Sequence, residues 1–100
     1  MSFQLIAGKN VDSYIDKDSY VILDLRDHEE YAASHIRGAR NLPYEYYDNY
    51  IEKLPRGKKY ILYCNYGSMS MLAGRRMDEA GYDVLSISGG ISSYRGNLFV

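Results

Sequence analysis

Two short apolar runs, each bounded by polar residues, dominate the pattern of the chain: YVILDLR at 20–26 and KKYILYC at 58–64. Apolar side chains fill consecutive positions in both, which is the signature of a strand buried on both faces of a parallel sheet. YDVLSI at 82–87 reads as a third strand. The intervening segments carry helical spacing. Val11, Tyr14 and Ile15 fall on one face, EEYAAS follows Asp27, and in YEYYDNYIEKL the side chains of Tyr47, Tyr50, Ile51 and Leu54 share a face. After the second run, SMSMLAGRRMDEAG sets Met69, Leu72, Ala73, Arg76, Met77 and Ala80 at i, i+3 and i+4, with Gly81 as the stop. Strands alternating with helices predict an open α/β sandwich, because parallel strands need crossovers and the helices bury both faces of the sheet. Ligands in such sheets bind at the carboxyl ends of the strands. Cys64, the lone cysteine, ends the second run.

The chain has 100 residues, two prolines, no internal repeat and no low-complexity tract, so residues 1–100 are expected to form a single domain. A net charge of −1 without a basic stripe argues against nucleic-acid binding. No window is apolar and long enough to span a bilayer and the amino terminus lacks a leader pattern, which predicts a cytoplasmic protein with no membrane role. One cysteine cannot close an internal disulfide, and with only His28 and His35 beside it a metal centre is not expected; neither is a cofactor.

Cys64 is followed by Asn65, Tyr66, Gly67, Ser68, Met69 and Ser70 before the helix is established. Backbone amides curling back over the sulfur, with Gly67 accommodating a positive φ, would cradle an anion and favour thiolate over thiol. A buried cysteine at a strand end is equally a packing residue. On position alone both readings stand. Ser68 and Ser70 have an ordinary role open to them as helix caps.

The segment DLRDHEEYAASHIRGARNLP, 24–43, resembles the motif of rhodanese-like sulfurtransferase domains, and VLSISGGISSYRG, 84–96, is similar to that family's Gly-Gly signature with a downstream aromatic residue. With the Cys64 loop between them in the same order, the resemblance runs over essentially the whole chain. It implies an open parallel β-sheet of about five strands flanked by helices on both faces. It also implies a Cys64 that takes sulfane sulfur from a donor, becomes a persulfide, and passes the sulfur to a thiol or cyanide. The backbone from Asn65 to Ser70 would hold the charge, Arg26 would lie near the loop either as a substrate contact or tied into ion pairs with neighbouring carboxylates, and His35 would belong to a structural turn.

Family members active on thiosulfate often carry Arg or Lys inside the loop, whereas positions 65–69 are uncharged here. The donor is therefore open between thiosulfate, a small persulfide and a protein persulfide partner. Phosphatases built around a cysteine loop place an arginine six residues after the cysteine to clamp phosphate. Position 70 is serine, and Arg75 and Arg76 come too late. The competing function from another class is a non-catalytic protein-binding module, for which surplus exposed tyrosines in YEYYDNY would supply contact area.

Overall fold

The computed structural model describes residues 2–100. Five parallel strands form the main sheet: β1 (Ser2–Ala7), β2 (Tyr20–Asp24), β4 (Arg40–Asn41), β5 (Lys59–Tyr63) and β6 (Asp83–Ser88), in the spatial order β1-β6-β5-β2-β4. A separate antiparallel pair joins β3 (His35–Ile36) to β7 (Leu98–Phe99). The helices are α1 (His28–Ala33), α2 (Tyr47–Tyr50) and α3 (Ser68–Glu79), supplemented by 3-10 turns, one of them at Gly8–Ser13. This is the α/β architecture expected from the alternation of apolar runs, with β5 in the middle of the sheet.

Strand alternation divides the core in two, since successive side chains point to opposite faces. On β5, Tyr60 and Leu62 join Leu23, Leu25, Tyr47, Ala73, Met77 and Val84 beneath α2 and α3. Ile61 and Tyr63 join Val11, Ile15, Ile22, Ile36 and Ile87 on the other face. β5 is thus buried on both sides, which accounts for its unbroken apolar run. In register, Leu62 lies between Leu23 of β2 and Ser86 of β6, so the carboxyl ends of the three central strands finish together.

Two expectations are corrected. The buried stripe of α3 is Ser70, Ala73, Gly74 and Met77, whereas Met69, Leu72 and Arg76 face outward. Small residues define the stripe because β1 passes close beneath it: a Cβ at Gly74 would collide with the Phe3 ring. In the tyrosine-rich segment, Tyr47 and Ile51 are buried but Tyr50 is half exposed. The segment is a 3-10 turn (Tyr44–Tyr46), then α2, then another 3-10 turn (Ile51–Lys53). Three residues per turn at either end break the α-helical register that a single face requires.

Candidate active site

Cys64 sits directly after β5, at the carboxyl edge of the sheet, and is 3% exposed. The chain turns sharply behind it. Gly67 has φ +106°, a conformation open to glycine without steric cost, and this turn delivers the chain into α3. Two amides reach the sulfur as a result: Gly67 N–H donates to Sγ at 3.1 Å and Ser70 N–H at 3.4 Å. Asn65, Tyr66, Ser68 and Met69 complete the turn around it, with Tyr66, Ser68 and Met69 on the exposed rim.

Beneath the sulfur is a closed pair of hydroxyls. Ser70 Oγ lies 3.7 Å from Cys64 Sγ, 3.2 Å from the Gly67 carbonyl oxygen and 2.8 Å from Ser86 Oγ, and both serines are fully buried. Ser86 was not among the residues expected from sequence. Its signal is a hydroxyl at a position of β6 that shares the face of Val84, where an apolar side chain would otherwise fill the core under α3.

The Gly-Gly segment closes the loop from the opposite side. Ile91 N–H donates to the Cys64 carbonyl at 2.9 Å and Ser92 N–H to the Asn65 carbonyl at 3.2 Å. Gly90, at φ +64°, packs directly on the backbone of Cys64 and Asn65. A third tether comes from α1. Asn65 Nδ2 donates to Glu30 Oε2 at 2.8 Å, while the other Glu30 oxygen accepts the Asp27 amide in the capping box that starts the helix.

Arg26 is buried and spent within the domain. Its guanidinium grips Asp24 through Nε and Nη2 and also donates to the Ser34 carbonyl. Burial works against its charge, but the hydrogen bond and the field of Asp24 prevail and raise its pKa. His35 lies in β3 rather than in a turn, stacked on Tyr31 at 3.9 Å with Nδ1 at 2.9 Å from the Tyr31 carbonyl, a structural placement. Arg76 pairs with Asp48 and Arg75 lies over Phe3, so neither reaches the loop.

The chain matches the rhodanese-like domain family over residues 8–97. It belongs to that family. Among its relatives, it is 37% identical over 91 residues to a tRNA sulfurtransferase of Desulfurococcus amylolyticus, covering 91% of this chain but only 18% of that protein's length. It is 28% identical over 96 residues to the thiosulfate sulfurtransferase GlpE of Coxiella burnetii, covering 95% of this chain and 90% of that one. A rhodanese-related protein from Thermoplasma volcanium superposes with a TM-score of 0.87 at 24% identity, over 96% of this chain and 97% of that chain. The rhodanese-like fold is therefore that of residues 8–97, with the Cys64 loop at the carboxyl edge of its sheet.

Proposed function

We propose that this rhodanese-like domain is a sulfurtransferase acting through a Cys64 persulfide. The observation that carries the reading is the pair of amides directed at a cysteine sulfur at the carboxyl end of the central strand. Sulfur packed for volume alone has no need of donors, whereas a thiolate or persulfide anion does. The relatives named sulfurtransferases support the same class of reaction.

In the first half-reaction the Cys64 thiolate attacks the sulfane sulfur of the donor. A Cys64–sulfur bond forms, the donor's S–S bond breaks, and its electron pair leaves on the donor remnant, which is sulfite from thiosulfate or a thiolate from a persulfide. In the second, a thiolate or cyanide attacks the terminal sulfur; the Cys64–sulfur bond breaks and the thiolate returns. Between the two steps the amides of Gly67 and Ser70 stabilise the anionic sulfur, while the Ser70 hydroxyl, which accepts from the Cys64 thiol and donates to the Gly67 carbonyl, braces the turn beneath it. Arg26 serves the scaffold in this scheme, because its Nε and Nη2 donors are engaged by Asp24 and Ser34. Residues 1–100 act as one unit, needing no cofactor. A cytoplasmic site of action suits a free thiol, and among the described residues no helix is long and apolar enough to cross a membrane.

Wild type and Cys64→Ser are incubated with thiosulfate and with a small-molecule persulfide, then examined by mass spectrometry for one added sulfur and by assay for transfer to cyanide. Wild type is expected to gain the sulfur and the variant to remain unmodified. A wild-type protein that acquires sulfur from no donor would turn the reading to a protein-binding module with an incidental cysteine.

A further inference from the structure

Every group hydrogen-bonded to the Cys64 sulfur is neutral: the Gly67 and Ser70 amides, which donate to it, and the Ser70 hydroxyl, which accepts from it. Positions 65–70 contain no charged residue. Among the described residues, the one ionic side chain hydrogen-bonded to this loop is Glu30, whose Oε2 accepts from Asn65 Nδ2 at 2.8 Å. The cation nearest to it, Arg26, feels the field of Glu30 but is hydrogen-bonded to Asp24, so the three side chains together carry a net negative charge. The loop is thus bordered by a net anionic group, at a site whose proposed substrates are anions.

We infer that Glu30 is a specificity-determining residue, which disfavours dianionic thiosulfate and directs the Cys64 site toward singly charged persulfide sulfur. This rests on the sulfurtransferase reading. Glu30 acts in two ways: its hydrogen bond positions Asn65, and its charge meets the approaching donor. Repulsion between like charges scales with the product of the charges, so a donor bearing two is penalised twice as heavily as one bearing one. It also weakens as salt shortens the Debye length. The partially exposed carboxylate lies in high dielectric, which keeps the effect modest in size.

Glu30→Gln removes the charge while its single amide oxygen can still accept from Asn65 Nδ2; the bond given up is the longer one from the Asp27 amide, which at the exposed start of α1 can turn to water. Three proteins are compared with wild type: Glu30→Gln, the control Glu29→Gln one residue away, and Tyr66→Lys, which adds a cation to the exposed rim without touching α1. Donor kcat/KM is measured with cyanide as acceptor for thiosulfate and for the persulfide of 2-mercaptoethanol, at low and high ionic strength. In a two-step transfer that ratio reports the first half-reaction alone.

Glu30→Gln is expected to raise kcat/KM for thiosulfate by about three- to tenfold at low salt and for the persulfide by about the square root of that factor, with both gains shrinking as salt rises. Tyr66→Lys should move the thiosulfate-to-persulfide ratio the same way, and Glu29→Gln should leave it unchanged. Equal changes on both donors, a gain insensitive to salt, a matching gain from Glu29→Gln, or an unmoved ratio in Tyr66→Lys each overturn the inference while leaving sulfur transfer intact. If no protein takes sulfur from either donor, the sulfurtransferase reading itself fails and the inference falls with it.

Discussion

Gly90 couples the Gly-Gly segment to the cysteine loop, and Gly90→Ala tests how much that coupling contributes. At φ +64° an alanine is strained by about 1 kcal/mol relative to glycine. Its Cβ would stand 2.6 Å from both the carbonyl carbon and the carbonyl oxygen of Asn65, and closer still to the Cys64 carbonyl oxygen. These obstacles are backbone atoms, so no side chain can swing aside. The two segments must separate by several tenths of an ångström, which stretches the Ile91–Cys64 and Ser92–Asn65 hydrogen bonds, each worth about 1 kcal/mol net. The sum is about 3 kcal/mol, and for a domain of this size it lowers Tm by roughly 10–25 °C. Differential scanning calorimetry measures it, with Gly57→Ala as the control because nothing lies within 4 Å of that position. Sulfur uptake by Cys64, followed well below the lowered Tm, should slow as the loop loses its tether. A Gly90→Ala protein melting as wild type does would refute the reasoning, since it would mean that the contact relaxes without cost.

Arg26→Met leaves Asp24, which is fully buried, without its partner; a loss of about 3–5 kcal/mol is expected in urea unfolding. An unchanged urea midpoint with a raised KM for the donor would instead make Arg26 a substrate contact. Alkaline pH acts through tyrosines. Burial, reinforced by a hydrogen bond to Asp12, pushes Tyr94 up to about 12, and burial also raises Tyr47 and Tyr63. The folded state holds these protons where the unfolded chain, at its ordinary value near 10, has released them, so stability is complete below about pH 10 and falls as pH rises toward 12. Phenolate absorbance followed beside circular dichroism checks this: Tyr94→Phe should soften the alkaline loss, and identical curves for variant and wild type would count against it.

The strands that were legible are those buried on both faces. β2 and β5 announce themselves because nearly every position is apolar, β6 because Val84, Leu85 and Ile87 cluster between polar ends, and α3 because Gly81 stops it. β1 escaped notice for the opposite reason: SFQLIA lies on the sheet edge with Ser2, Gln4, Leu5 and Ala7 exposed, so its pattern never became a continuous apolar run. The inward stripe of α3 is not visible in helical spacing, because hydropathy rewards large side chains while close packing over Phe3 and Ser86 demands small ones. In the loop, Cys64 and Gly67 were readable from residue type. Ser86 and the Glu30–Asn65 link were not, since they join positions far apart in the chain and only the register of β5 against β6, and the entry angle of α1, bring them together.

Burial alone does not distinguish a packing cysteine from a nucleophile, because Cys64 is nearly inaccessible under either reading. The proposed nucleophile rests instead on the direction of the surrounding dipoles. Amides at 3.1 and 3.4 Å converge on the sulfur, although each has water available in an unfolded chain. Folding commits them to that atom, and they stabilise it most when it is anionic. Neutral dipoles have a further consequence that a cation would not: they support charge on the sulfur without adding long-range attraction for a charged donor. In the proposed mechanism, stabilisation of the persulfide and recruitment of its donor would thereby be uncoupled, which would leave the charge of Glu30 free to act on the second without weakening the first.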